Sequence, residues 1–332
     1  MNFKTIADLN KTIKDNLYKI PTDIDLIVGV PRSWMLPATI LWLYLNCLIT
    51  DIDSFCKWEI YTCGGTKKWN YINYIKDARK IIVIEDSSSS WESVKKAKEK
   101  ISQSKYWDKC IFWAVYVTNI SKSNVDIYFE ICPQPRLFER NYIHHSMCKS
   151  MCFDIDWVLC ENPTEEQNDD WPKYIDFILN AKPKFRPTAH IWYLVTTRLE
   201  KYRKETEIRL KNNNISYDKL IMLNLKTKED RQKLNMYWKF KWEVYKKQKD
   251  SILFIESDYK QALEIAQISK KPVFCTENSQ YTTSWFVQNL KTDFIPNLME
   301  YKIIRYIYKI LPTSIKKMII KILLKNKKKF YN

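Results

Sequence analysis

Met151-Cys-Phe-Asp-Ile-Asp-Trp-Val-Leu-Cys160, near the midpoint of a 332-residue chain, carries the pattern that decides the fold. Apolar residues run into Asp154, one apolar residue separates it from Asp156, and apolar residues follow. A strand over 151–154 delivers both carboxylates at its C-terminal end, where an open α/β sheet places its ligands. Two acids so placed can divide the work of phosphoryl chemistry, one attacking phosphorus and the other moving a proton. The Asp-Ile-Asp triplet recurs at 23–25 and 51–53. Asp23 and Asp25 precede their apolar run, and Asp51 and Asp53 are read as having none before them, so only the central pair is expected to follow a strand.

Downstream, apolar runs at 191–198, 219–225, 251–255 and 272–275 alternate with helical patterns at 171–180, 199–212, 236–249 and 259–269. Upstream, runs at 25–29, 58–61, 80–84, 112–117 and 126–131 flank helices at 33–47 and 94–103, after a first helix within residues 1–20. Strands alternating with helices predict an α/β protein with two doubly wound, mostly parallel domains, 1–147 and 148–295. Residues 132–145 are interrupted by Pro133 and Pro135 and are read as the connection, with Arg136 packing the halves together.

Composition narrows the function classes. Thirteen Trp and 21 Tyr argue against disorder, and nine irregularly spaced Cys argue against a disulfide framework or structural zinc. The uncharged stretch 33–50 contains Pro37 and Asn46 and is read as a buried helix, not a membrane span. Only three glycines occur, Gly29, Gly64 and Gly65, and each is expected where backbone approaches a ligand or turns sharply. The formal net charge is +17, of which residues 301–332 hold ten Lys or Arg and no acid.

The stretch from Ile81 to Ser93 joins a strand to Glu85-Asp86, four serines and a helix N-terminus. Such a turn offers hydroxyls and backbone N–H groups to an anion, and two acids beside it suit vicinal sugar hydroxyls. The alternative reading is a helix cap on a flexible loop.

This stretch resembles the signature of type I phosphoribosyltransferases, with Trp91 standing where the family usually has glycine. The resemblance implies that Glu85 and Asp86 hold the ribose hydroxyls of phosphoribosyl pyrophosphate. Ser87, Ser88, Ser89, Ser90 and Ser93 would hold its 5-phosphate. Arg32 and Ser33 occupy the place of the pyrophosphate loop. Gly64, Gly65, Lys67 and Lys68 match the mobile loop that closes over the substrate.

The second half resembles the haloacid dehalogenase superfamily, through strand ends bearing Asp-x-Asp, Thr and Glu-x-Asp in order. The resemblance implies Asp154 as nucleophile, Asp156 as general acid/base, Thr196 as phosphoryl ligand and Lys241 as charge-neutralising cation. Lys239 and Lys246 are nearby candidates for the last role. Mg²⁺ would be held by Asp154, Asp156, Glu256 and Asp258. Trp157 stands where glycine is common. The intervals between the motifs leave no room for a large cap domain, and a capless site suits a bulky substrate.

A fusion of these two activities resembles the bifunctional glycan phosphoribosyltransferase–phosphatases of bacterial surface polysaccharide synthesis. It implies transfer of ribose 5-phosphate to a glycan acceptor, then removal of the phosphate. The tail at 296–332 reads as a basic amphipathic helix suited to an anionic membrane surface bearing a lipid-linked acceptor, which puts the protein in the cytoplasm on the inner face of the membrane. A docked helix is the alternative for the tail, with nucleic acid behind both. Nucleobase or nucleotide salvage, and non-catalytic binding of phosphoribosyl pyrophosphate, are the alternatives for the whole.

Overall fold

The structure is a computed structural model that describes residues 1–61, 72, 74–90, 92–168, 172–234 and 236–284. Gly64, Gly65, Lys67, Lys68, Trp91 and the tail at 296–332 lie outside the described residues. Two compact units divide the chain, Met1–Tyr142 and Ile143 onward.

Unit 1 runs β1 (Asn2–Lys4), α1 (Ile6–Asp15), β2 (Ile24–Gly29), α2 (Met35–Leu45), β3 (Leu48–Asp51) and α3 (Ile52–Cys56). It continues with β4 (Lys80–Ser88), α4 (Glu92–Ser102), β5 (Cys110–Val117), β6 (Ile127–Ile131) and β7 (Arg136–Phe138). Five strands form one parallel sheet in the order β3-β2-β4-β5-β6, and β1 pairs with β7 separately. The strand period of two sorts the side chains onto opposite faces. Leu26, Val28, Ile81 and Val83 face Phe55 of α3 and Val94, Ala97 and Ile101 of α4. Ile27, Ile49, Ile82 and Ile84 face Leu9 and Ile13 of α1 and Ala38 and Leu41 of α2. A parallel sheet covered on both sides needs such unbroken apolar strands. Truncating one of these leucines or isoleucines to alanine costs about 2–5 kcal/mol.

Several expectations are corrected here. The edge strand is Leu48–Asp51, not 58–61. Asp51 therefore does end a strand, and its side chain caps α3 by accepting from the backbone N–H groups of Asp53 and Ser54. Trp58 follows that helix with φ 66°, its N–H donating to the Phe55 carbonyl at 2.9 Å, which turns the chain out of register for pairing. Gly29 serves packing. A Cβ there would meet Met35 Sδ at 2.6 Å and the Ala38 Cβ at 3.0 Å, so glycine lets α2 lie on the end of β2. Arg136 is buried within unit 1, where its Nη1 donates to the Cys132 carbonyl at 3.2 Å. The uncharged stretch forms an 11-residue helix, and no helix of the described residues is long and apolar enough to cross a membrane.

Unit 2 runs β8 (Met151–Phe153), α5 (Lys173–Asn180), β9 (Ile191–Leu199), α6 (Arg203–Asn212), β10 (Tyr217–Leu223) and α7 (Lys228–Lys233). It ends with α8 (Met236–Lys247), β11 (Leu253–Glu256), α9 (Tyr259–Ser269), β12 (Val273–Cys275) and β13 (Gln280–Thr282). The sheet order is β10-β9-β8-β11-β12-β13, parallel except for the β12–β13 edge pair. Cys152, Tyr193, Phe254 and Val273 pack against Tyr245 of α8 and Ala262, Ile265 and Ala266 of α9. Both units are thus α/β with mostly parallel sheets. The eight described cysteines are all free.

Candidate functional site

Sheet register assembles the unit 2 site. Phe153 pairs with Leu194 on one side and with Ile255 on the other, so Asp154 leaves the end of β8 at the level of Val195 and Glu256, which are still within β9 and β11. The Asp154 N–H donates to the Ile255 carbonyl at 3.0 Å. Its Oδ1 accepts from the Ile155 N–H at 2.8 Å, and its Oδ2 from Lys241 Nζ at 2.7 Å. Lys241 reaches in from α8 and also donates to Glu256 Oε2 at 2.8 Å and Gln261 Oε1 at 3.1 Å. Three acceptors satisfy its three N–H donors. Of the three neighbouring lysines, this one enters the site. Lys239 and Lys246 lie over the rings of Trp238 and Trp242.

Charge inside this cluster does not balance, since two buried carboxylates share one ammonium. Burial pushes the Asp154 carboxyl up, to about 7, with Lys241 opposing the shift and Glu256 adding to it. Burial works against the Lys241 ammonium, but Asp154 and Glu256 outweigh it and hold the lysine above its ordinary value. The remaining oxygen of Glu256 accepts from the backbone N–H groups of Ser257 at 2.9 Å and Asp258 at 3.2 Å.

Asp156 is held elsewhere. The fully buried Arg198 grips it as a fork, with Nη2 to Oδ1 at 2.6 Å and Nε to Oδ2 at 3.1 Å. Burial alone would raise this carboxyl, yet Arg198 outweighs it and keeps Asp156 below the usual carboxylate range. Thr196 is buried beside the pair, and its Oγ1 accepts from the Arg198 N–H at 3.2 Å. Asp258 caps α9, its Oδ1 accepting from the Gln261 N–H at 2.8 Å.

Of the residues expected to hold Mg²⁺, Asp154 and Glu256 are brought together and the other two have partners of their own. Asp154 and Glu256 share an ammonium, Asp156 faces a guanidinium and Asp258 serves a helix. Among the described residues no group of three or more His, Cys, Asp or Glu side chains is disposed to hold a metal ion. Arg198 and Gln261 were missed in the sequence. A charged residue ending the otherwise apolar run 191–198 was the available signal for Arg198.

In unit 1, β4 continues through Ser88, paired with β5 as far as Ser88 with Val117. Glu85 and Asp86 are therefore inside the strand and point to opposite faces. Arg140 forms a buried ion pair with Asp86, its Nε donating to Oδ2 at 2.7 Å, and its guanidinium lies over the Phe138 ring at 4.1 Å. Glu85 has no such cation. Its Oε1 accepts from Ser93 Oγ at 2.5 Å, and its Oε2 is buried with no hydrogen-bond partner. Burial pushes this carboxyl up to about 7.

The serines divide into two groups. Ser88 is buried, with its hydroxyl donating to the Ser90 carbonyl at 3.0 Å, and Ser93 is taken by Glu85. Ser89 and Ser90 are exposed and Ser87 half-buried ahead of α4. Arg32 is exposed and Ser33 half-buried after β2, across a cis Pro31–Arg32 peptide bond. Arg140 was missed because its segment was read as a connection between domains.

No protein-family model matches the chain, and no curated relative is found for it. Among solved structures, the xanthine-guanine-hypoxanthine phosphoribosyltransferase of Helicobacter pylori is similar at 13% identity and TM-score 0.31, over 42% of this chain and 92% of that one. The purine phosphoribosyltransferase of Pyrococcus horikoshii is similar at 16% identity and TM-score 0.30, over 42% and 93%. The UMP synthase of Leishmania donovani is similar at 15% identity and TM-score 0.26, over 42% and 28%. At these scores the likeness decides neither activity nor substrate, and the functional reading rests on the side chains.

Proposed function

We propose that the chain performs two steps on one sugar. Unit 1 transfers ribose 5-phosphate from phosphoribosyl pyrophosphate to a glycan acceptor, and unit 2 removes the 5-phosphate to leave a ribofuranosyl group. The carrying observation is the convergence of Asp154, Lys241 and Glu256, from three separate elements, at the C-terminal edge of the unit 2 sheet. That edge is where α/β sheets place their chemistry.

In the first step the bond from the anomeric carbon to pyrophosphate breaks and a bond to an acceptor hydroxyl oxygen forms, its proton passing to solvent. Glu85, which has no ion-pair partner among the described residues, holds the ribose hydroxyls, whereas Asp86 points to the other face and is held by Arg140. Ser87, Ser89 and Ser90 are the serines left to face the 5-phosphate, and Arg32 and Ser33 face the departing pyrophosphate. In the second step Asp154 attacks phosphorus, the bond to the ribose oxygen breaks with that oxygen taking a proton from solvent, and water then hydrolyses the aspartyl phosphate to inorganic phosphate and the free Asp154 carboxylate. Lys241 offsets the charge that a carboxylate meets on approaching a phosphate. Asp156, kept as a carboxylate by Arg198, is suited to take the proton from that water.

Bulk of the acceptor is accommodated by an open site. Among the described residues, only α5 lies between Asp156 and β9, and only a 3₁₀ turn (Glu200–Tyr202), α6, β10 and α7 lie between β9 and α8. We further propose that residues 296–332 rest on the inner face of a membrane carrying a lipid-linked acceptor. A binding-only reading is favoured by one observation, that Asp86 and Asp156 are both already paired with arginine.

The test is incubation of the protein with phosphoribosyl pyrophosphate, Mg²⁺ and candidate glycans, following pyrophosphate release and product mass. D154N should leave a phosphorylated glycan that wild type converts to the bare ribosyl product. Loss of the phosphate from D154N at the wild-type rate would overturn the role of Asp154. Absence of pyrophosphate release with binding retained would favour the binding-only reading.

A further inference from the structure

Trp157 sits in a conformation that its side chain does not favour. The Ile155 carbonyl accepts from the N–H groups of Val158 at 3.3 Å and Leu159 at 2.8 Å, and the turn so closed holds Trp157 at φ 59°. Glycine adopts this left-handed backbone freely, whereas a bulky aromatic there is an outlier. Burial does not account for the choice, because Trp157 is 40% exposed.

Its ring is nevertheless held in place. Lys184 Nζ lies over it at 4.1 Å. The segment carrying Lys184 is tied to the turn by backbone hydrogen bonds, Lys184 N–H to the Leu159 carbonyl and Phe185 N–H to the Val158 carbonyl, both at 3.1 Å. A strained, anchored and exposed indole thus stands directly after Asp156 and three residues after Asp154. An aromatic face offers an apolar surface of defined orientation, and a lysine beside it offers a cation.

We propose that Trp157 is the ring platform of the unit 2 site. It stacks on the sugar that bears the scissile phosphate and selects phosphorylated sugars over smaller phosphate compounds, with Lys184 fixing the indole. This rests on the reading of Asp154 as the centre of a phosphomonoester site. Backbone strain of this kind clusters at active sites and ligand clamps.

The experiment is calorimetric titration of full-length D154N with ribose 5-phosphate and with inorganic phosphate, repeated after adding W157G or W157F. W157G should lower the preference for ribose 5-phosphate over inorganic phosphate by about tenfold, the scale of one aromatic stacking contact. W157F, which keeps a ring, should lose less of that preference than W157G. W157G should also melt at or above the parent temperature, because glycine suits the turn. An unchanged preference with both ligands bound would overturn the platform alone, and a drop in melting temperature with it would make Trp157 a packing residue. Binding of neither ligand by D154N would overturn the underlying phosphomonoester site.

Discussion

Unit 1 presents a pair of acids inside a central strand and unit 2 a pair just past the end of one, and in each pair one member is held by an arginine. Arg140 holds Asp86 in unit 1, and Arg198 holds Asp156 in unit 2. The other members differ. Asp154 meets the ammonium of Lys241 and shares it with Glu256, whereas Glu85 meets a serine hydroxyl and no cation at hydrogen-bonding distance. Proximity of two carboxylates thus says little until their counter-charges are known. A carboxyl answered only by a hydroxyl suits neutral hydrogen bonding, as to a sugar. One answered by a lysine is poised against an anionic group.

The sharpest way to break this contrast is to remove the lysine. K241M leaves Asp154 and Glu256 buried without a counter-charge, and should cost about 3–5 kcal/mol of stability in urea unfolding at pH 8. Adding E256Q to K241M should recover part of the loss. A K241M protein as stable as wild type would show that the two carboxylates do not depend on the ammonium.

Glu85 predicts an opposite sign. Its carboxyl titrates at about 7 in the fold and near 4.5 when free, so the folded state binds a proton more tightly than the unfolded chain. The resulting penalty is absent below about pH 4.5, grows between the two values and is full above about pH 7. E85Q should therefore stabilise the protein at pH 8 by up to about 3 kcal/mol and do nothing at pH 4. Equal effects at both pH values would mean that Glu85 carries no titration penalty.

The smallest effect concerns Asp258. As the cap of α9 it should contribute about 1 kcal/mol, lost in D258A and largely kept in D258N. Loss of phosphatase turnover in a D258N protein of normal stability would show that its charge matters beyond the cap.

Much of the fold was legible because it rests on local pattern. The apolar runs ending at Ile84, Phe153 and Ile255 are each a buried parallel strand, and Tyr259–Ser269 is a helix with the expected bounds. The failures have local causes too. Asp51 is itself the last residue of a four-residue strand whose apolar part is only Leu48 and Ile49, and β4 continues through Glu85 and Asp86 to Ser88 although its apolar run stops at Ile84. Their polarity is tolerated inside the sheet because Ser93 and Arg140 meet them there.

By itself, the sequence determined an α/β protein with mostly parallel sheets, since strand period and apolar content are properties of short segments. The tertiary structure alone decided what those acids touch. Arg140 lies 54 residues from Asp86, Arg198 lies 42 from Asp156 and Lys241 lies 87 from Asp154. Sheet register and helix packing bring such groups together, and a buried acid's charge depends on the partner that arrives.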